Sequence, residues 1–345
     1  MEKLKIAIIG AGVWGKTHAY LYIEHPQVEL VAICDKDRER ADAFAKEFKL
    51  EKTFYDHKVM LRECKLDAVA IVTPDFAHAD AAFDCANAGI DMLIEKPLAT
   101  TYADVVRIME AVKRNKVRVM VDLHNRWNPP VVVAKQSLDS GELGKPISAY
   151  YRMNDKMWVA TDMLPWAAKS SILWFLGSHT VDTLRWFFND EVETVYSVSS
   201  KGVLQSLGVD TEDVFQSILK FRNGGIATIE NGWITPNSSP CINDIKFNLT
   251  GSRGMINIDL SNSQLIERFT EKESDRPDVL VRHFLHGKAK GFAYESIRSF
   301  IDKIVSGEDF IVSLEDAANT SLVILSILES AKTGLPVKVR YLDGK

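Results

Sequence analysis

Lys96 and His179 are the two side chains of this sequence whose surroundings best suit acid–base chemistry. Lys96 follows the apolar run 90–94, so an ammonium group leaves a predicted strand at its end, where it can stabilise a developing negative charge. His179 lies in the apolar segment 174–188 and can accept a proton near neutral pH. Each has an ordinary alternative, because Lys96 can pair with Glu95 at a surface loop and a lone histidine among apolar residues is commonly a hydrogen-bonded core residue.

The element that must position these side chains begins at the N terminus. An apolar run, 4–9, passes directly into GAGVWG at 10–15 and then into a predicted helix. In this strand–turn–helix context GxGxxG predicts a dinucleotide site: Gly10 allows a tight turn, Gly12 lets the backbone approach a pyrophosphate, and Gly15 lets the helix pack on its strand. A chance glycine turn in an ordinary βαβ unit is the alternative. The predicted cofactor contacts of the turn are Gly10, Gly12, Val13, Trp14 and Gly15.

The acid that ends the second apolar run, 28–34, predicts which dinucleotide binds. Asp35 stands 20 residues beyond Gly15, where the fold needs a carboxylate for the ribose hydroxyls of adenosine. The same carboxylate repels a 2′-phosphate, so NAD is favoured over NADP. Lys36 and Arg38 weaken this prediction because NADP sites use a nearby guanidinium, although their acidic neighbours are equally typical of a solvated helix start.

Two further apolar runs, 67–72 and 90–94, have the continuous hydrophobicity of strands that are covered on both faces. Together with the glycine turn they predict an N-terminal Rossmann domain over residues 1–123, an α/β domain with a doubly wound parallel sheet. The carboxyl ends of such strands line the cofactor crevice. The predicted cofactor contacts at these ends are Thr73, Pro74, His78, Glu95 and Lys96.

The composition of the chain changes after residue 123. Short alternating or apolar runs follow one another without long helices between them, and the turn at 223–225 (NGG) is typical of a hairpin. Residues 124–345 are therefore predicted to form a C-terminal α+β domain for substrate binding and oligomerisation, with a large, mostly antiparallel, open sheet. An open apolar sheet face has to be covered by something.

Size and charge exclude several classes of partner. A chain of 345 residues favours two domains, and a net charge of −5 provides no basic excess for nucleic acid or an anionic membrane. The first strand starts within four residues and no run of about 18 apolar residues occurs, so we expect a cytoplasmic protein without a spanning helix. The four cysteines are isolated, and no ligand grouping suggests a metal.

Several motifs occur together in the order and spacing of a known family. They are GAGVWG at 10–15, Asp35, TPDFAH at 73–78, EKP at 95–97, HNRWNP at 124–129, SGELGKP at 140–146 and LGSHTVD at 176–182. The pattern resembles the Gfo/Idh/MocA family of NAD(P)-dependent sugar oxidoreductases, which includes glucose–fructose oxidoreductase and inositol dehydrogenase. The resemblance covers nearly the whole chain.

The resemblance implies roles for individual residues. It makes Lys96 catalytic, makes His179 the base opposite the lysine, and implies a homodimer or homotetramer formed through the C-terminal sheet. One position departs from the family, because the residue four before the histidine is typically an aspartate and here is Phe175. Either another carboxylate replaces it, for which Asp155 and Asp162 just upstream are the candidates, or the substrate itself supplies a hydroxyl or a carboxylate, or the chemistry differs.

The remaining candidates concern the substrate. Arg126 has a fork of donors for hydroxyls or a carboxylate, and the indole faces of Trp158 and Trp166 suit the CH face of a sugar ring. Phe175 would form an apolar wall beside them. Domain bridging by Arg126 and core packing by the tryptophans are the alternatives. The predicted substrate contacts are Arg126, Trp158, Trp166, Phe175 and His179.

Three functions are compatible with these residues. The first is an NAD-dependent oxidoreductase that oxidises a hydroxyl of a sugar, cyclitol or sugar derivative. The second is an isomerase, lyase or glycosidase that uses tightly bound NAD transiently, without net redox. The third is a non-catalytic NAD-binding sensor, which the retention of Lys96 and His179 disfavours.

Overall fold

The computed structural model describes residues 2–261, 265–272 and 274–342, which form two compact units. The first unit contains the chain up to His124 and also Val281–Ala318. The second contains Asn125–Leu280 and the chain from Asn319 onward. The division predicted at residue 123 followed chain order alone, whereas the first unit consists of two stretches that are distant in sequence.

A six-stranded parallel sheet forms the centre of the first unit. Its spatial order is β3-β2-β1-β4-β5-β6, so the order reverses between β1 and β4 as in a doubly wound sheet. Every side chain of β4 is buried, as the continuous apolar run predicted. This confirms the predicted Rossmann architecture. The strands are β1 Leu4–Ile9, β2 Val28–Cys34, β3 Lys52–Phe54, β4 Ala68–Ile71, β5 Asp91–Glu95 and β6 Val119–Asp122.

Helices connect these strands, and polar side chains cap several of them. Asp37 and Thr101 accept hydrogen bonds from the backbone N–H groups of Arg40 and Asp104, which satisfies donors at the helix starts. A 3₁₀ turn, Asp75–Ala77, precedes the fourth helix. The helices are α1 Val13–Glu24, α2 Arg38–Phe48, α3 His57–Glu63, α4 His78–Asn87 and α5 Tyr102–Asn115.

The second unit is built on a seven-stranded mixed sheet. Its elements up to residue 280 are α6 Pro129–Asp139, β7 Pro146–Lys156, α7 Ser178–Phe188, β8 Val192–Ser200, α8 Val203–Ser206, β9 Val214–Phe221, β10 Ile226–Thr235, β11 Asn243–Gly251, β12 Met255–Asp259, β13 Arg268–Phe269 and β14 Ser274–Asp275. The sheet order is β12-β11-β7-β10-β9-β8-β17, where β17 is Val337–Lys338. Most neighbours are antiparallel, as predicted, but β7 and β10 pair in parallel.

The remaining elements follow residue 280. A short hairpin, β15 His283–Leu285 and β16 Lys288–Lys290, precedes α9 Phe292–Ser306, and all three belong to the first unit. Helix α10, Leu314–Thr333, contains the point at which the chain returns to the second unit. Among the described residues, no helix is both long and apolar enough to cross a membrane.

Candidate active site

The glycine turn between β1 and α1 has the geometry that a dinucleotide requires. Gly10 has a φ of +115°, and a Cβ there would lie 2.6 Å from the carbonyl oxygen of Val72. A Cβ at Gly15 would lie 2.1 Å from the carbonyl oxygen of Gly10, so only glycine permits this approach of helix and strand. A Cβ at Gly12 would meet no atom within 4 Å, so the space at this point of the turn is open for a phosphate group. The turn therefore fits NAD.

Asp35 lies directly beside this turn. Its Oδ2 accepts a hydrogen bond from the N–H of Ala11 at 2.8 Å, and its Oδ1 accepts one from the N–H of Asp37 at 2.9 Å. Two backbone donors thus fix the carboxylate, and each oxygen keeps a lone pair for a ribose hydroxyl.

The cations near Asp35 are not arranged as the sequence suggested. Arg38, which weakened the prediction, stacks on the ring of Tyr55, with its guanidinium carbon 4.1 Å from the ring centroid. Lys36 is exposed. The cation beside the carboxylate is Arg40, 3.9 Å from Asp35, which the sequence analysis did not single out.

The ends of β4 and β5 meet at His78. This ring is 1% exposed, with Nδ1 2.8 Å from the carbonyl oxygen of Pro97 and Nε2 2.9 Å from that of Thr73. His78 therefore holds together the two loops that the sequence placed at the crevice, and its predicted cofactor contact stays a prediction. Lys96 follows β5 directly and is half-buried, and the bond between Lys96 and Pro97 is cis.

Glu95, the last residue of β5, belongs to a buried polar cluster that the sequence analysis missed. The carboxylate oxygen of Glu95 lies 3.4 Å from Nε2 of His18, and Nδ1 of the same ring lies 3.1 Å from the hydroxyl of Tyr22. Burial, and then the charges of Asp122 and Glu95, raise the pKa of Tyr22 well above its ordinary value. The tyrosine therefore stays neutral and available as a donor.

Asp122, at the end of β6, extends this cluster. It is fully buried and accepts a hydrogen bond from the hydroxyl of Ser296, and its second oxygen lies 3.6 Å from Nδ1 of His124. Burial opposes the charged form, but His124, His18 and Ser296 outweigh it and lower the pKa of Asp122. Ligand atoms of His18, Glu95 and Asp122 lie within 4.8 Å of one another, which is close enough for a cation. The absence of a resident metal stays a prediction.

In the second unit, His179 lies in the first turn of α7 and is 4% exposed. A π-helical turn, Leu173–Gly177, leads into this helix, and such turns are frequent at functional sites. Asn231 of β10 donates from Nδ2 to the carbonyl oxygen of Met153 and to the hydroxyl of Thr180, both at 3.0 Å. The sheet therefore holds the helix at the residue next to the histidine.

Arg126 forms a buried ion pair with Asp182. Its Nε and Nη2 donate to the two carboxylate oxygens at 3.0 and 2.7 Å, and the exposed fractions of the two side chains are 5% and 1%. The guanidinium also lies 5.4 Å from the ring centroid of Trp186. This pairing gives Arg126 a role in holding α7, and its contact with a substrate stays a prediction.

Aromatic side chains surround the π-helical turn. The rings of Trp166 and Phe175 meet edge to face, with centroids 6.4 Å apart, and both side chains are half-buried. Trp158 is 41% exposed, and its backbone N–H donates to Asn237 at 2.8 Å. Phe175 thus belongs to a partly accessible aromatic surface, and its role as an apolar wall facing a sugar ring stays a prediction.

The two carboxylates considered as replacements for the family aspartate differ in environment. Asp155 lies on β7, is 1% exposed, and accepts a hydrogen bond from Asn243. Asp162 is exposed in the π-helical turn Val159–Met163 and accepts one from the hydroxyl of Thr161. Water screens the buried carboxylate of Asp155 less than that of Asp162, and replacement of the family aspartate by either one stays a prediction.

Comparison with known proteins identifies the family. Residues 4–123 match the oxidoreductase family, NAD-binding Rossmann fold, and residues 131–257 match the GFO/IDH/MocA C-terminal domain. This chain belongs to the GFO/IDH/MocA family. It is an NAD-dependent oxidoreductase, and the resemblance and the cofactor predicted from the sequence are confirmed.

Similar proteins cover the chain from end to end. Myo-inositol 2-dehydrogenase of Thermotoga maritima is 25% identical, over 99% of this chain and 100% of the relative. Scyllo-inositol 2-dehydrogenase (NAD(+)) of Bacillus subtilis is 27% identical over 98% and 97%. The crystal structure of myo-inositol 2-dehydrogenase from Lactobacillus plantarum has a TM-score of 0.84 at 23% identity, covering 98% of this chain and all of the other, and supports the fold.

Proposed function

We propose that this GFO/IDH/MocA protein oxidises a secondary hydroxyl of a cyclitol or a sugar to a carbonyl. The observation that carries the proposal is the position of Lys96, which follows a strand of the parallel sheet whose glycine turn fits NAD. Inositol dehydrogenases among the relatives support the substrate class.

The proposed reaction breaks one C–H bond and one O–H bond of the substrate. NAD, when bound, accepts the hydride from the carbinol carbon. His179 accepts the hydroxyl proton, and the ammonium of Lys96 stabilises the alkoxide as the C=O bond forms. Asp155 is our candidate for the carboxylate that orients the imidazole. The products are a ketone, NADH and the proton on the histidine, so atoms and electrons balance.

The aromatic surface of the second unit suits a ring-shaped polyol. Trp166 and Phe175 present half-buried faces, and such faces pack on the apolar CH face of a sugar or cyclitol. Trp158, which is more exposed, would close over the same ring. Arg126 is left out of this proposed surface, since Asp182 occupies its guanidinium.

We also propose that a second copy of this chain covers the exposed face of the mixed sheet. Tyr196 of β8 lies opposite Ile218 of β9, and both are exposed at 40% and 52%. Val198 and Ile226 on neighbouring positions are exposed at 47% and 51%. These four exposed apolar side chains lie on one face of the sheet, among polar ones such as Gln216 and Lys220, and grouped exposed apolar side chains are typical of an interface.

Light scattering after gel filtration tests this second proposal. The wild type should be a dimer or larger, and Ile218→Lys with Ile226→Lys should produce a monomer. Val133→Lys, on the exposed face of α6, is the matched control and should leave the mass unchanged. A monomeric wild type would refute the proposed assembly.

A cytoplasmic location is proposed from the cysteines. Cys34, Cys64, Cys85 and Cys241 are all free thiols, and the first three are buried. Burial raises the pKa of Cys34 to about 12, so this thiol is unreactive. Free thiols of this kind fit a reducing compartment.

The activity is tested by incubating the protein with NAD and a panel of inositols, pentoses and hexoses. NADH absorbance should rise with at least one polyol. Lys96→Ala and His179→Ala should each lower kcat by about 10²- to 10⁴-fold, while NAD affinity changes little. His179→Ala should also remove the acid limb of the pH–rate profile, because an imidazole titrates there.

Two other outcomes would contradict the proposal. Conversion of a sugar without a change in absorbance would point to transient use of NAD in a reaction without net redox. Binding of NAD with no conversion of any compound would point to a sensor.

A further inference from the structure

The hairpin β15–β16 packs along helix α1, close to the glycine turn. Arg282, just before β15, donates from Nη1 to the hydroxyl of Thr17 at 2.6 Å. One turn further along α1, the rings of Tyr20 and Phe284 meet edge to face at 5.2 Å. At the end of the helix, the N–H of Ala289 donates to Glu24 at 2.7 Å. Three contacts therefore fix the hairpin to the helix that follows the cofactor turn.

A cavity of about 550 Å³ lies between the hairpin and the turn. Its lining includes Gly12 and Val13 of the turn, Lys16 and Thr17 of α1, and Arg282 and His283 of the hairpin segment. This volume is within the range of small-molecule sites. The cavity is therefore lined on one side by the phosphate-binding backbone of the turn and on the other by the basic residues Arg282 and His283, which lie outside the glycine motif.

Arg282 is the cation in this cavity whose charge is still available. Lys16 pairs with Glu47 at 2.6 Å, whereas the ion pairs within the described ranges leave Arg282 without a carboxylate. Its guanidinium lies 5.3 Å from the ring centroid of Trp14, and the same indole stacks on His124 at 5.4 Å. Thr17 occupies one of the five N–H donors of the guanidinium, so the others remain for an anion.

We propose that Arg282 binds the diphosphate of NAD from the side opposite the glycine turn. The diphosphate carries negative charge that the helix start and the backbone N–H groups neutralise only in part. A guanidinium forms paired, charge-assisted hydrogen bonds with phosphate oxygens. The inference rests on NAD binding at the turn. It attributes part of the affinity for NAD to Arg282, which lies 265 positions beyond its hydrogen-bond partner Thr17 in the chain.

Ligand binding without turnover tests the proposal. Titration of NADH by fluorescence, and its displacement by ADP-ribose and by adenosine, should be compared for wild type, Arg282→Gln and Arg282→Lys. Arg282→Gln should weaken NADH and ADP-ribose by roughly 10- to 100-fold and leave adenosine unchanged, because only the first two contain the diphosphate. Arg282→Lys should recover part of the loss, since it restores charge without the fork.

Lys288→Gln is the matched control, because it removes one positive charge from the same hairpin outside the cavity lining. It should leave all three affinities unchanged, and thermal unfolding should show that each variant is folded. An unchanged ADP-ribose affinity in Arg282→Gln would overturn the proposal, as would an equal loss for adenosine, which would indicate a displaced hairpin.

The binding assay also separates this inference from the proposed activity. A protein that binds ADP-ribose through Arg282 but oxidises no polyol would refute only the dehydrogenase proposal. A wild type that binds neither NADH nor ADP-ribose would refute the site at the turn and Arg282 with it.

Discussion

The first unit, which carries the NAD-binding turn, and the second unit, which we propose binds the substrate, position their functional groups by different means. In the first unit, backbone geometry makes the site, since Gly10 and Gly15 allow contacts that any Cβ would block. In the second unit, side chains make it, since Asn231 and the Arg126–Asp182 pair hold the helix that carries His179. The glycine turn therefore tolerates almost no substitution at a few positions. Around α7, the stabilising contacts are spread over many side chains.

This difference explains how one family keeps its cofactor and changes its substrate. The glycine turn binds the diphosphate, which every NAD molecule contains, so the same backbone geometry is needed whatever the substrate. A side-chain surface such as Trp166 and Phe175 can be altered one residue at a time, because each change affects packing locally. The departure at Phe175 is of this second kind.

The largest effect is expected at Gly15. Gly15→Ala places a methyl group 2.1 Å from the carbonyl oxygen of Gly10, so α1 must move and NADH binding should be lost, as measured by fluorescence titration. Gly12→Ala is the control, because its methyl group meets no protein atom within 4 Å. That variant should unfold at the wild-type temperature and lose only cofactor affinity. Normal NADH binding by Gly15→Ala would show that the close approach of α1 and the turn at Gly15 is not required for cofactor binding.

The second expected effect is on the stability of the second unit. Arg126→Met leaves the carboxylate of Asp182 buried without its cation, which should destabilise the second unit by about 3–5 kcal/mol. The measurement is chemical unfolding followed by tryptophan fluorescence. Adding Asp182→Leu should recover most of the loss, because no buried charge then remains. If the single variant is as stable as the wild type, the pair does not hold α7.

A smaller effect is expected for the choice of cofactor. Asp35→Ser removes the acceptor for the ribose hydroxyls and the repulsion of a 2′-phosphate, so NAD should bind about 10- to 100-fold more weakly and the preference over NADP should narrow. Asp37→Ser, on the neighbouring helix cap, is the control and should change neither affinity. Tighter binding of NADP by the wild type would show that nearby cations outweigh the acid.

The smallest effect is expected at Phe175. Phe175→Asp restores the carboxylate of the family pattern and should raise turnover on inositols by roughly 2- to 10-fold, the value of one added hydrogen bond. Phe175→Leu keeps an apolar wall and should show no gain. Unfolding of Phe175→Asp without activity on any polyol would show that the ring serves packing alone.

The parts that could be predicted from the sequence are those with local causes. The glycine turn, Asp35 and the parallel strands follow from neighbouring residues, and the structure contains all of them. Other contacts join residues far apart in the chain: Arg126 and Asp182 are separated by 56 positions, and His18 and Glu95 by 77. No pattern of spacing specifies such pairs, because only the folded topology brings them together. For the same reason the parallel pairing of β7 with β10 was missed.

The first unit consists of two stretches that are far apart in the chain, so it cannot be completed until late in translation. Asp122, fully buried in the finished unit, accepts a hydrogen bond from Ser296, a residue made 174 positions later. At ordinary translation speed that interval is roughly 10–35 s. For this period the nascent nucleotide-binding sheet lacks the hairpin and α9, and six of the seven strands of the second sheet, β7 to β12, are synthesised in the meantime. The part of the chain that is made first is therefore among the last to be completed.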